Sequence, residues 1–434
     1  SASVGANWFI YAPNSANNEY YIDSNTVDRD TALNGYFYGI YATAGANRMR
    51  ISDNTISNVL VNQNSSNAHY LIFTQGTSRN TEISRNQLIN DSLQSTSTKY
   101  SIYSGVSYPA GSVFVNDNVL RNLRYGGGTL YHIFITGSGR FQHIRNNVIE
   151  NTRNNGLTGL IYCNSTGQRY RYILNNRMED NLVTGATSNT MYGLYLTNTS
   201  SGDTLNIVRS NTVRLMGSQN AGSSIYGVYN FGSGGTPLTE YYSSNTFDRI
   251  GHLSPGTGGG VVYGMHLANG ASSSPRRFVD SNVVRRIIGS GTGGVYGIFS
   301  NYNLNSDVSI RNNRVDSLLN FGGLISGIEV GSNCSRPHFI NRNIVADLIS
   351  YGSSGSPTIN GIRLLATGVG SRNFINNNLV DGLQVLQNSA SVVRGISIET
   401  GNTADTNFIE HNTVFLNANT SGPNLTTAGI FTST

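Results

Sequence analysis

One short phrase recurs along the chain: an apolar residue, two polar positions, an asparagine, another position and a second apolar residue. "FINNNLV" at 374–380 and "HIRNNVI" at 143–149 are two of its forms. The asparagine that anchors the phrase falls at Asn25, Asn54, Asn86, Asn118, Asn147, Asn176, Asn211, Asn245, Asn282, Asn313, Asn343, Asn378 and Asn412, at intervals of 29 to 37 residues. An apolar or aromatic residue stands three positions before every anchor, from Ile22 to Ile409, and another stands two positions after it, from Val27 to Val414. A second phrase alternates with the first, as "WFIYA", "YGIYA", "YLIFT", "YSIYS" and onward to "AGIFT", centred on residues such as Ile40, Ile102, Val228 and Ile362. Inward and outward residues alternate in it with the period of a strand.

Each unit therefore holds two or three short β segments and no helical pattern. A unit this small cannot bury its own apolar face and must stack on copies of itself. The expected fold is all-β: a single-stranded right-handed parallel β-helix of about 13–14 coils with a mean repeat of about 32 residues, continuous over 1–434. At about 4.8 Å per coil it makes a rod of roughly 65 Å.

Asparagine is a poor strand former, and an unpaired buried amide is costly. Stacking resolves the conflict. Each amide can bond the same amide one coil away, giving an internal Asn ladder over the thirteen anchors. The tight turn at the phrase also calls for residues that tolerate left-handed dihedrals, as Asn, Asp, Ser and Gly do.

Composition narrows the function classes. Charged residues are 12% of the chain, Gly numbers 50 and Asn 57. The formal charge of +5 makes no case for nucleic acid, and Lys99 is the only lysine among 28 basic residues. No run of about 18 apolar residues exists, so no membrane insertion is expected. The start "SASVGANWFI" has neither an initiator Met nor a basic-then-apolar signal pattern, so either a removed signal or a segment of a longer protein is expected. Cys163 points inward, and Cys334 lies five coils on, too far to bond it.

The chemistry of β-helix enzymes is hard to place here. No "DD" or "RxK" exists, and "IGHLS" at 250–254 is the nearest approach to "GHG". Glycoside hydrolysis needs two carboxylates about 5–10 Å apart. Glu150 and Glu179 occupy equivalent positions in successive units, but Arg121 and Arg214 flank them, which reads as a lateral salt-bridge ladder. The seven histidines show no metal-ligand spacing, so neither a metal, a cofactor nor a catalytic residue is assigned.

One outward row remains as a candidate site: Tyr41, Phe73, Tyr103, Phe134, Tyr162, Tyr195, Tyr229 and Phe299, one residue after each strand centre, with Tyr11 before them and His266 among them. A parallel row runs through Trp8, Tyr38, Tyr70, Tyr100, Tyr131, Tyr192, Tyr226, Tyr263 and Tyr296. Both turn polar from residue 326, with Glu329, Arg363 and Ser397 in one and Ser326, Asn360 and Arg394 in the other. Stacked rings stabilise a sheet face by themselves, and a long exposed row also offers a flat platform for sugars or a partner. Loops covering the row would remove the second use.

The alternation of "NNxIxN" with "GIY" resembles right-handed parallel β-helix repeats of bacterial extracellular proteins. The final stretch "IEHNTVFLNANTSGPNLTTAGIFTST" resembles the closing repeats of large secreted or cell-surface proteins of Bacteroidota exported by type IX secretion. The resemblance implies an extracellular, non-enzymatic, adhesin-like rod, with surface glycans or other cell-surface or secretion proteins as partners. A carbohydrate-binding or polysaccharide-active β-helix and a filament subunit are the alternatives.

Overall fold

A computed structural model of the chain describes residues 6–13, 19–29, 31–32, 35–62, 67–164, 169–198, 205–232, 238–254, 256, 258–269, 276–302, 306–332, 336–352, 357–366, 370–386, 391–399, 405–417 and 425–433. Among them are strands and no helix, arranged as a parallel β-solenoid. The chain visits three sheets in turn. Sheet A runs from Ala6–Ala12 to Leu425–Ser433 in fourteen described strands, and sheet B from Glu19–Asp23 to Thr406–Glu410 in thirteen. Sheet C has seventeen, because its first four coils are split in two, as in Thr55–Ser57 and Leu60–Asn62. Each strand pairs in parallel with its counterpart one coil away: Ile40 with Ile72, Ile83 with Val115 and Val213 with Phe247.

The interior is a set of like-on-like columns. Ile51, Ile83, Val115, Ile144 and Ile173 form one, and Ile56, Leu88, Leu120, Ile149 and Met178 another, all fully buried. The strand centres from Ile40 to Ile396 are fully buried as well, whereas Ile430 in the last coil is 52% exposed. Lateral burial repeated coil after coil supplies the stability that no single unit has.

The Asn ladder runs through all thirteen anchors. Each Asn Nδ2 donates to the Oδ1 of the next at 2.9–3.0 Å. From Asn54 onward Nδ2 also donates to a main-chain carbonyl of the preceding coil, as Asn176 does to Ile144 at 2.9 Å and Asn313 to Val279 at 2.9 Å. Each Oδ1 accepts in addition the main-chain N–H of the preceding ladder Asn, at 3.0 Å from Asn147 to Asn176. Every interior amide thus has both donors and both acceptor sites used, which removes the desolvation penalty.

The left-handed corner expected at this phrase is made by the residue before the ladder Asn, not by the ladder Asn. Ser24, Asp53, Arg85, Asp117, Asn146 and their successors to His411 have φ between 54° and 60°. A second left-handed row, unforeseen in the sequence, lies four residues after each anchor, from Arg29 and Asn58 to Asp347, with Gly382 next. These two rows hold all the non-glycine residues with positive φ among the described residues. The second row bends sheet C and splits its strands in the first coils. Leu215, at φ 52°, is its one apolar member.

Sheet A departs from strict alternation too. The residue before each strand centre is skipped in the pairing: Trp8 pairs with Tyr38 and Ile10 with Ile40, leaving Gly39 and its equivalents unmatched. Gly39, Leu71, Ser101 and His132 at that place point inward next to inward-pointing centres. This break in alternation, made at the same place in every strand so that the register is kept, lets the residues one after and two before the centre both face out. Where glycine holds the place the backbones are crowded: a Cβ on Gly227 would lie 2.4 Å from the Gly264 carbonyl oxygen and 2.6 Å from Phe247.

Candidate functional site

Because of that break in alternation the two aromatic rows expected from the sequence form a double column on the outer face of sheet A. In the first column Tyr41, Phe73, Tyr103, Phe134, Tyr162, Tyr195, Tyr229, His266 and Phe299 stack with centroids 3.8–5.6 Å apart. The tightest step is Tyr162 on Tyr195, at 3.8 Å and 4°. The second column stacks in the same way, with Tyr70 on Tyr100 at 4.9 Å and Tyr263 on Tyr296 at 4.6 Å. The columns meet edge to face, as Tyr70 does Phe73 at 4.8 Å. All eight residues singled out above are thus brought together.

From Tyr38 onward the rings are half-buried, except Phe73, whose exposure of 7% makes it part of the packed interior of the face, whereas Trp8 and Tyr11 in the first coil are exposed. Burial pushes the hydroxyls of Tyr100, Tyr229 and Tyr296 up to about 12. The face therefore stays neutral through the physiological range. One place in the second column lacks a ring, Gly159. Tyr131 and Tyr162 lean into it, so that a Cβ there would lie 2.9 Å from either ring.

From residue 326 the same face carries charge. Arg363 lies 3.6 Å from Glu329 and 2.9 Å from Glu399, and Arg394 lies 2.8 Å from Glu399 and 3.7 Å above the Phe431 ring. Glu329 is 4% exposed, and burial raises its pKa against the pull of Arg363. Asn360 is fully buried there with neither amide atom hydrogen-bonded.

On sheet C, Glu150 and Glu179 are neighbours across a coil boundary. Arg177 bridges them at 2.6 and 2.9 Å, and Arg121 and Arg214 pair them from outside. Both carboxylates are thus paired with two arginines each, in the lateral ladder expected from the sequence. The ladder continues through Asp248 to Arg285, but Asp316 turns to Arg314 in its own strand. Cys163 is buried and its thiol is pushed up to about 11. Cys334 lies outside the described residues.

Three sets of residues escaped the sequence reading. Five residues before the anchors, Gln142, Arg171, Asn206, Glu240 and Arg277 form a fully buried polar column inside sheet B, with Arg171 Nε on Gln142 and Arg277 Nε on Glu240 at 2.6 Å each. In the early coils Ser101, Tyr125 and His132 form a buried hydrogen-bonded group, while Asp91 is pushed up and Lys99 down to about 8 by burial. The third set is an aromatic column on the outer face of sheet B, four residues before the anchors. Phe114, His143 and Tyr172 stack in it, then Tyr241 and Phe278, then Phe339, Phe374 and Phe408. Counting back from each anchor would have found both sheet B columns, since ring follows ring in one and polar follows polar in the other.

Among the described residues no cluster of three or more His, Cys, Asp or Glu side chains could hold a metal, and no helix is long and apolar enough to cross a membrane. Compared with family models, curated proteins and solved structures, the chain shows no match.

Proposed function

We propose that this chain is a stiff, non-enzymatic scaffold of a secreted or cell-surface protein, which holds attached or neighbouring parts at a fixed distance from a bacterial surface. The observation that carries the reading is the unbroken ladder, in which Asn54 to Asn378 are buried and bonded in every coil. A chain whose coils are locked by identical bonds resists bending and slippage alike. The repeat style quoted above favours the Bacteroidota surface and type IX export. Its partners would be surface glycans or other cell-surface proteins. Labelling of intact cells by an antibody to this chain tests the location: signal without permeabilisation supports the reading, and signal only after lysis refutes it.

A second reading is favoured by the double aromatic column, whose half-exposed rings offer apolar faces to a polysaccharide. A Tyr103→Ala, Tyr195→Ala double variant tests it. Unchanged retention on glycan supports leaves the columns a packing device, and lost retention makes them a binding platform.

A further inference from the structure

The aromatic column of sheet B is interrupted at Ile207 and at Ser309, and of the two only Ser309 is small enough to leave a gap. Ser309 is the Cα partner of Phe278 in one direction and of Phe339 in the other, so a hydroxymethyl group stands where its neighbours carry rings. Phe278 stacks onward on Tyr241 at 4.9 Å and Phe339 onward on Phe374 at 5.0 Å. With coils about 4.8 Å apart, the two phenyl groups stand roughly 9.6 Å from one another, the room of one further ring. An open cavity of about 320 Å³ occupies this place, lined by Phe278, Ser309, Phe339, Arg276, Asp307 and Val308. The missing ring on sheet A at Gly159 is closed by Tyr131 and Tyr162; this one stays open. Phe339 is 38% exposed beside it.

Charged pairs flank the slot on both edges. Arg276 lies 3.6 Å from Asp307 on one side, and Arg311 lies 3.5 Å from Asp280 on the other. The slot therefore offers two apolar walls one ring apart and hydrogen-bonding groups along both rims.

We propose that this slot binds one pyranose ring of a neutral polysaccharide, held between Phe278 and Phe339 with its hydroxyls on the two Arg–Asp edges. A pyranose with equatorial hydroxyls has C–H groups on both faces and hydroxyls all round its rim, which matches walls and edges together. An aromatic side chain would fill the walls and leave the edges unused. An acidic sugar would meet Asp307 and Asp280 as well as the arginines. The site lies on a different sheet from the Tyr103 and Tyr195 platform and does not depend on it.

Saturation-transfer NMR with cellotetraose, xylotetraose and laminaritetraose tests the assignment on the intact chain. Transfer to sugar ring protons is expected with at least one of them, reduced roughly tenfold or more by Phe339→Ala and by Ser309→Phe. Ser309→Phe completes the stack with the ring that the neighbouring coils carry, so its melting temperature should equal or exceed that of the parent, and lost transfer there cannot be ascribed to unfolding. The Tyr103→Ala, Tyr195→Ala variant should keep the signal. No transfer from any of the three sugars overturns the proposal, as does transfer that Ser309→Phe leaves intact. Transfer to N-acetyltyrosinamide but to no sugar would make the slot a peptide site and equally overturn it.

Discussion

The outer face of sheet A is two surfaces on one frame. Up to Phe299 it is ring on ring, neutral and joined by stacking; from Ser326 to Glu399 it is a web of Arg363, Arg394, Glu329 and Glu399. The frame does not change at the boundary. Tyr296 pairs with Ser326 and Phe299 with Glu329 in the register that holds on either side, and the Asn313–Asn343 rung spans the same coils at 3.0 Å. The inner ladder and core columns therefore set the register, and the outer face is free to vary in chemistry. In the aromatic region neighbouring coils gain further contact area, whereas in the polar region they are coupled by buried charge, which is costly when one partner is lost.

The largest effect expected is common to both regions. Asn147→Ala and Asn343→Ala each leave the preceding ladder amide, its main-chain N–H and a carbonyl without these partners (Asn118 and Val115 in one case, Asn313 and Ile310 in the other), a loss of about 3–9 kcal/mol from three buried orphans. Urea denaturation should show equal losses at the two sites; a much smaller loss under the aromatic face would mean that the rings, too, hold the register.

Next comes Arg363→Met, expected to cost about 2–4 kcal/mol at pH 7, because Glu329 then stays buried without its counter-charge. Burial already raises the Glu329 pKa above its unfolded value, so its contribution is complete at acid pH and declines as pH rises through the folded pKa. The deficit of Arg363→Met should therefore shrink on acidification towards pH 4, as thermal melts across pH would show. A deficit independent of pH would remove Glu329 from the explanation.

Tyr100→Ala should cost about 2 kcal/mol, through contacts with Tyr70 and Tyr131, and, with its hydroxyl pushed up to about 12 by burial, should do so equally at pH 5 and pH 9. A pH-dependent loss would contradict the neutrality of the aromatic face. The smallest expected change is a gain: Leu215→Gly relieves a left-handed leucine by about 1 kcal/mol, and Ser317→Gly at the same place in a later coil gains less.

What was legible in the sequence is what repeats with an unmistakable residue type. Asn25 to Asn412, Ile22 to Ile409 and the paired aromatic rows could be aligned by eye, and the solenoid followed. What was hidden depends on parity. The two successive inward residues at each sheet A centre and the left-handed residue four after each anchor both shift inward for outward, so period-two counting fails across them. Arg171, Glu240 and Arg277 look like surface residues until their place five before the anchors is known to face in. The ring column of Phe278 and Phe339 was masked by interruptions such as Ser309 and Ile207.

The central claim is that each coil lies on its predecessor amide over amide, and side-chain amide hydrogen exchange measured by NMR tests it most directly. The Nδ2 protons of Asn54 through Asn378 should be protected to the level of the core strands, with those of Asn25 and Asn412 in the half-buried end coils exchanging faster. Exchange of Asn147, Asn176 and Asn211 as fast as that of exposed Asn90 and Asn151 would contradict the ladder and the fold built on it.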